Sequence, residues 1–116
     1  MAVPKFDDLY IHLIQTLQQL GGSGSTAEIT EKVAEILKLS EEDINEIHSG
    51  NRTELDYRLA WARTYLKQYG LIENSSRGVW SLTSKGKDIT SVDKNIINKF
   101  VRGHNEGLKL LQPEKD

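Results

Sequence analysis

Apolar positions recur at helical spacing along most of the chain and switch to strand-like runs once, near the middle. Phe6, Leu9, Tyr10, Leu13, Ile14, Leu17 and Leu20 share one helix face, and Asp7, Asp8, Gln15, Gln18 and Gln19 take the other. This spacing predicts a first helix over about residues 5–20, stopped by Gly21-Gly22. The "GGSGS" that follows reads as a short flexible connection. In "STAEITEKVAEILKL", Ser25 and Glu28 have the spacing of a capping box, and Ile29, Val33, Ile36 and Leu37 form an apolar stripe. A second helix is expected over about residues 26–38. Ser40 and Asp43 repeat the capping device and open a short helix of about two turns, with Ile44 and Ile47 facing inward.

"RTELDYRLAWARTYLKQYG" carries the next stripe, Leu55, Leu59, Ala62, Leu66 and Tyr69, on a helix over about residues 52–69. Its cap is either Thr53 with Asp56 or Asn51 with Glu54. Gly70 ends it in a left-handed conformation that glycine reaches without a Cβ clash. "LIEN" and "VWSL" then read as two strands around the tip "SSRG". Thr83 opens a short helix, and residues 92–111 are helical again, with Val92, Ile96, Ile97, Phe100 and Val101 at helical spacing and "QPEKD" frayed.

The fold class expected is mainly α with a small β-hairpin, in the element order of a winged helix, a helix-turn-helix variant. Residues 1–90 would form the winged-helix domain, and residues 91–116 a C-terminal helix and frayed tail. In such folds the helix before the hairpin enters the major groove, which is about 12 Å wide, and the hairpin (the wing) meets phosphate or the minor groove.

Charge sharpens this picture. The net charge of −2 argues against simple polyanion binding, but residues 1–48 carry three Lys/Arg against nine Asp/Glu, a net −6. Residues 49–90 carry seven against four, a net +3, and residues 91–116 five against four, a net +1. The basic third is the one with the candidate recognition helix and wing, and local sign asymmetry can direct binding when net charge does not. The absence of cysteine excludes disulfides and thiolate zinc sites and fits a reducing compartment. No apolar run approaches the roughly 20 residues that span a bilayer, and "MAVPKFDDLY" has no signal-peptide core. A cytoplasmic protein without membrane partners is expected.

The segment from Gly24 to Gly86 resembles the N-terminal domain of Mrr-type restriction endonucleases. The residues that carry the resemblance are the paired glycines after the first helix, "AEI" in the second, "SG" before the third, "RLAWARTYLK" followed by "GLI", and "SRGVWSLTSKG"; "VPKFDDLY" resembles the opening of that family. Coverage is about residues 3–90. The resemblance implies a DNA-binding winged helix that sits ahead of a separate nuclease domain acting on modified, often methylated, DNA. The nuclease signature places an acidic residue two positions before a catalytic lysine, and no lysine here has one. The chain is then an N-terminal portion or a stand-alone relative, and no cleavage is credited to it.

Candidate DNA contacts fall in two groups. Arg77 at the hairpin tip can fork onto phosphate or enter a narrow minor groove, Gly78 lets the turn approach, and Ser75 and Ser76 can donate to phosphate. Against this, a solvated arginine in a tight turn is the plain alternative. At the helix start, Arg52 can read guanine or bind backbone, Asn51 can read adenine, and Thr53 lies where free N–H groups favour phosphate. The alternative there is an ordinary cap beside an exposed arginine. Tyr57 and Arg58 follow; Arg58 either contacts phosphate or forms a salt bridge with the first or second helix, the latter preferred. Trp61 and Trp80 are assigned to the core, and Arg63 and Lys67 to the solvated face. His12, His48 and His104 lack metal-ligand spacing. No cofactor, metal or catalytic residue is expected. The expected partner is double-stranded DNA, methylated or not, with a homodimer through Ile96, Ile97 and Phe100 as a further pairing.

Overall fold

The computed structural model describes residues 3–111, and side chains up to His104. The tail "QPEKD" lies outside the described residues. The first helix begins as a 3-10 turn, Phe6–Leu9, and continues as α1, Tyr10–Gln19. Its predicted face is the centre of the core: Leu9, Tyr10, Leu13, Ile14 and Leu17 are fully buried. Helix α2, Thr26–Ile36, starts on the predicted capping box, with Ser25 Oγ accepting from the Glu28 amide and Glu28 accepting from the Ser25 amide.

Ser23–Ser25 is not a flexible connection. It forms strand β1, antiparallel to the second strand of the hairpin, with Gly24 opposite Trp80. A Ser-Gly-Ser strand has no apolar alternation to announce it, and its pairing partner lies far along the chain. The short helix after Ser40, α3 (Glu41–Ile44), has one turn rather than two, although its capping box forms as expected. The chain then turns into a small hairpin of β2, Ile47–Ser49, and β3, Arg52–Thr53. This extended backbone carries Ile47 outward, 56% exposed, instead of inward.

Helix α4, Glu54–Tyr69, buries Leu55, Leu59, Ala62 and Leu66 completely. Burial of each leucine stabilises the fold by roughly 1.5–3 kcal/mol. Gly70 closes α4 at φ 95°, where any side chain would strain the backbone. Strand β5, Val79–Leu82, follows as predicted, β4 runs Ile72–Ser76 and takes in Ser75 and Ser76, expected at the tip, and β1 completes a three-stranded antiparallel sheet in the order β1-β5-β4. The helix expected after Thr83 is only a turn: Thr83 Oγ1 donates to the Gly70 carbonyl at 2.6 Å and accepts from the Gly86 amide at 3.2 Å. This hydroxyl ties the chain leaving the hairpin to the end of α4.

Helix α5, Lys94–Leu111, adds Ile97 and Val101 to the same core. The buried Tyr10 hydroxyl donates to Asn98 Oδ1, and Asn98 Nδ2 donates to Asp7 at 3.0 Å. Burial, and then the Asp7 charge, push the Tyr10 pKa far above its usual value, so this link stays protonated. Mostly helical, with two small antiparallel sheets, the molecule frames α4 between the N-terminal helix, the three-stranded sheet and α5.

Candidate nucleic-acid interface

Helix α4 presents two flanks on either side of its core face, and they carry different chemistry. At its start, Thr53 is the cap, its Oγ1 accepting from the Asp56 amide at 3.1 Å. Thr53 rather than Asn51 is therefore the cap, but half of the box is absent, since the Asp56 carboxylate bonds Arg52 instead of the Thr53 amide. Asn51 occupies the turn of the β2–β3 hairpin and is exposed. Arg52 Nε donates to Asp56 Oδ2 at 2.9 Å, and its guanidinium lies 5.6 Å from the Tyr57 ring centre. His48 stacks on the Tyr57 ring, with centres 3.6 Å apart and planes 12° from parallel.

Glu54 gathers the rest of this flank. His48 Nδ1 sits 3.0 Å from Glu54 Oε1, and since a carboxylate can only accept, the ring proton sits on Nδ1. Arg58 Nε donates to Glu54 Oε2 at 2.7 Å. These bonds, His48 first and Arg58 next, hold the Glu54 carboxyl below the usual range. Arg58 also donates through Nη1 to the carbonyls of Val3, at 2.7 Å, and Pro4, at 3.1 Å. Its guanidinium thus pins the N-terminal segment to α4. The acidic partner is on its own helix, not on the first or second as expected.

Two assignments on α4 are reversed. Trp61, expected in the core, is 45% exposed. It stands in a row with Tyr57 and Tyr65, edge to face, with centres 6.5 and 6.3 Å away, and Tyr65 meets Phe6 at 5.0 Å. Arg63, expected on the solvated face, is only 7% exposed. Its guanidinium carbon lies 5.6 Å from the centre of the Trp80 ring on β5. Nε and Nη1 of Arg63 are enclosed and have no hydrogen-bond partner among the described residues. Burial lowers its pKa, Asp56 opposes that, and Arg52 adds to it; an arginine remains a cation in such a setting. The signal was present in the spacing: Arg63 takes the position beside Leu59, Ala62 and Leu66 that a wide apolar stripe would fill.

The hairpin that follows is braced by its own side chains. Asn74 Nδ2 donates to the carbonyls of Ser76 and Val79, both at 2.8 Å, across an irregular register. The Ser75 and Ser81 hydroxyls share a 2.7 Å hydrogen bond. Ser76, Arg77 and Gly78 are exposed at the tip, Gly78 at φ 72°. The Thr26 amide donates to the Gly78 carbonyl at 3.0 Å, so the tip is tied to the start of α2. Arg77 enters none of the ion pairs among the described residues. The candidate contacts thus fall into a group at the start of α4, Asn51 to Arg58, and a group at the hairpin tip, Ser75 to Gly78. Among the described residues no set of three His, Asp or Glu is placed to hold a metal ion, and no helix is long and apolar enough to cross a membrane.

A family model described as the Mrr N-terminal domain matches residues 6–91. A curated relative is the type IV methyl-directed restriction enzyme EcoKMrr of Escherichia coli (strain K12), 27% identical over 88 residues. That alignment covers 76% of this chain but 29% of the relative, so the chain spans under a third of its length. No solved structure matches the chain.

Proposed function

The chain belongs to the Mrr N-terminal domain family, and from that premise we propose that it is a winged-helix module that binds double-stranded DNA as the target-recognition part of a restriction system acting on modified DNA. Helix α4 would enter the major groove and the β4–β5 wing would clamp the adjacent backbone. The observation that carries this reading is the exposed Arg77, outside every ion pair among the described residues, at the braced tip of the hairpin that follows α4. A cleaving activity would reside in a separate domain, and the reading places the protein in the cytoplasm, where DNA is met.

Fluorescence anisotropy with a duplex at low salt tests the proposal, with methylated and unmethylated sites compared. Binding that weakens steeply with salt is expected, and Arg77→Ala should lower the salt slope by about one unit. No duplex binding at low salt would sink the reading.

A second reading, an interaction or dimerisation module, is favoured by Ile96 and Phe100, 56% and 46% exposed on α5. Ile97, expected to join them, faces the core instead. Light scattering discriminates: a strict monomer that binds DNA speaks against it. A stand-alone transcriptional regulator on the same fold is the third alternative, and a DNA-binding result with an unmodified operator-like site would favour it.

A further inference from the structure

The Arg63–Trp80 contact joins α4 to the β4–β5 hairpin, and none of the DNA contacts named above uses it. Three observations make it more than packing. Arg63 is a nearly buried cation, and two of its donor nitrogens are idle among the described residues. An apolar side chain of the same length would fill that space without the cost of desolvating a charge. No carboxylate is within ion-pair distance of it among the described residues, although Asp56 acts on it through its charge. Asp56, on the same flank of α4, is bonded to Arg52 at 2.9 Å. Glu73, the one acidic residue of the hairpin, pairs opposite Ser81, whereas Trp80 pairs opposite Asn74, so strand alternation sends Glu73 to the other face of the sheet. The cation therefore sits between helix and hairpin with no carboxylate bonded to it among the described residues.

The aromatic ring explains how the arginine is kept. Guanidinium groups lie well on tryptophan, and the planar fork stays preorganised for two parallel hydrogen bonds to oxygen. Phosphate offers oxygens at that spacing. Lys67, one turn further along α4, and Arg77 at the tip add positive charge that enters no ion pair among the described residues.

We infer that Arg63, braced on Trp80, seats a backbone phosphate of duplex DNA in the angle between α4 and the β4–β5 hairpin. The inference rests on the DNA-binding reading above and adds to it a contact at the joint of the two elements. The part of Arg63 that stays open gives the phosphate its approach, and rotation of the side chain over the ring turns the idle donors onto it. Helix and hairpin then hold one phosphate from a shared residue, which fixes their relative register on the duplex.

The test compares wild type, Arg63→Met, Arg63→Lys and Arg77→Ala by anisotropy across a salt series, with thermal melts confirming that each variant folds. Arg63→Met keeps the length and removes the charge. It should weaken duplex binding about tenfold at low salt and lower the salt slope by about one unit, with Arg63→Lys retaining the slope. Wild-type affinity and slope in Arg63→Met, while Arg77→Ala loses both, overturns the phosphate seat and leaves the DNA-binding reading intact. No binding by wild type overturns both. If Arg63→Met does not fold, the Arg63 Nε–H resonance of the wild-type protein decides: it should shift on saturation with a short duplex, and an unmoved resonance overturns the inference.

Discussion

Arg52 and Arg58 stand at one end of α4, and Arg63 and Arg77 at its hairpin side, yet the two pairs lead different lives. The first two are each bonded to a carboxylate one turn away or nearer, Asp56 and Glu54. The second two enter no ion pair among the described residues. The basic third of the chain thus commits two of these four arginines to ion pairs on its own helix and leaves two outside every ion pair among the described residues. The difference teaches that a count of positive charge overstates a binding surface. What matters is which charges are left over once internal partners are served, because a cation already held by a carboxylate must break that pair before it can hold a phosphate.

The contrast can be broken most forcefully at Arg58. Its guanidinium serves Glu54 and two backbone carbonyls, so Arg58→Ala leaves three acceptors without their donor. It should destabilise the fold by about 2–4 kcal/mol, read by urea denaturation. A variant as stable as wild type would show that Arg58 is as free as Arg77.

Glu54→Gln is the next largest. It should cost about 1–2 kcal/mol at neutral pH, discounted for partial exposure. The folded carboxyl titrates below its unfolded value of 4.5, so its contribution is complete above that pH and vanishes as pH falls through the lower, folded value. Wild type and variant should therefore converge in stability under acid, and a gap that persists at low pH would contradict the bonding to His48 and Arg58.

At Arg52 the ion pair is largely open to solvent, and Arg52→Ala should change stability by less than about 1 kcal/mol. Any fall in duplex affinity would then report a direct contact and not a loss of fold. The smallest effect on stability belongs to Arg77→Ala, within about 0.5 kcal/mol, even though the same change should lower duplex binding. A melt shifted well beyond that would move Arg77 from the free pair to the committed one.

Much of the frame was legible in the chain. The capping boxes at Ser25 and Ser40, the buried stripe of α4, the left-handed Gly70 and the strands around Ser75–Gly78 all follow from residues within a few positions of each other. The α3 helix came out one turn shorter than its spacing suggested, because the chain left it for the β2–β3 hairpin. Strand β1 was missed because Ser and Gly carry no pattern and its hydrogen bonds go to β5. The site divides in the same way. The exposed tip at Arg77 was visible from turn chemistry, whereas Arg63 and Trp61 were read the wrong way round, since two residues on opposite flanks of one helix look alike until their neighbours are known.

Helix faces, caps and turns are decided by short-range sterics and hydrogen bonds, and those the sequence determined by itself. How deeply each arginine is held was decided only by the tertiary structure. Arg58 finds its partners 55 and 54 residues away at Val3 and Pro4, and Arg63 finds Trp80 on a strand that folds back over its helix. The energy of a buried charge depends on every group packed around it, and that surrounding is assembled from distant parts of the chain.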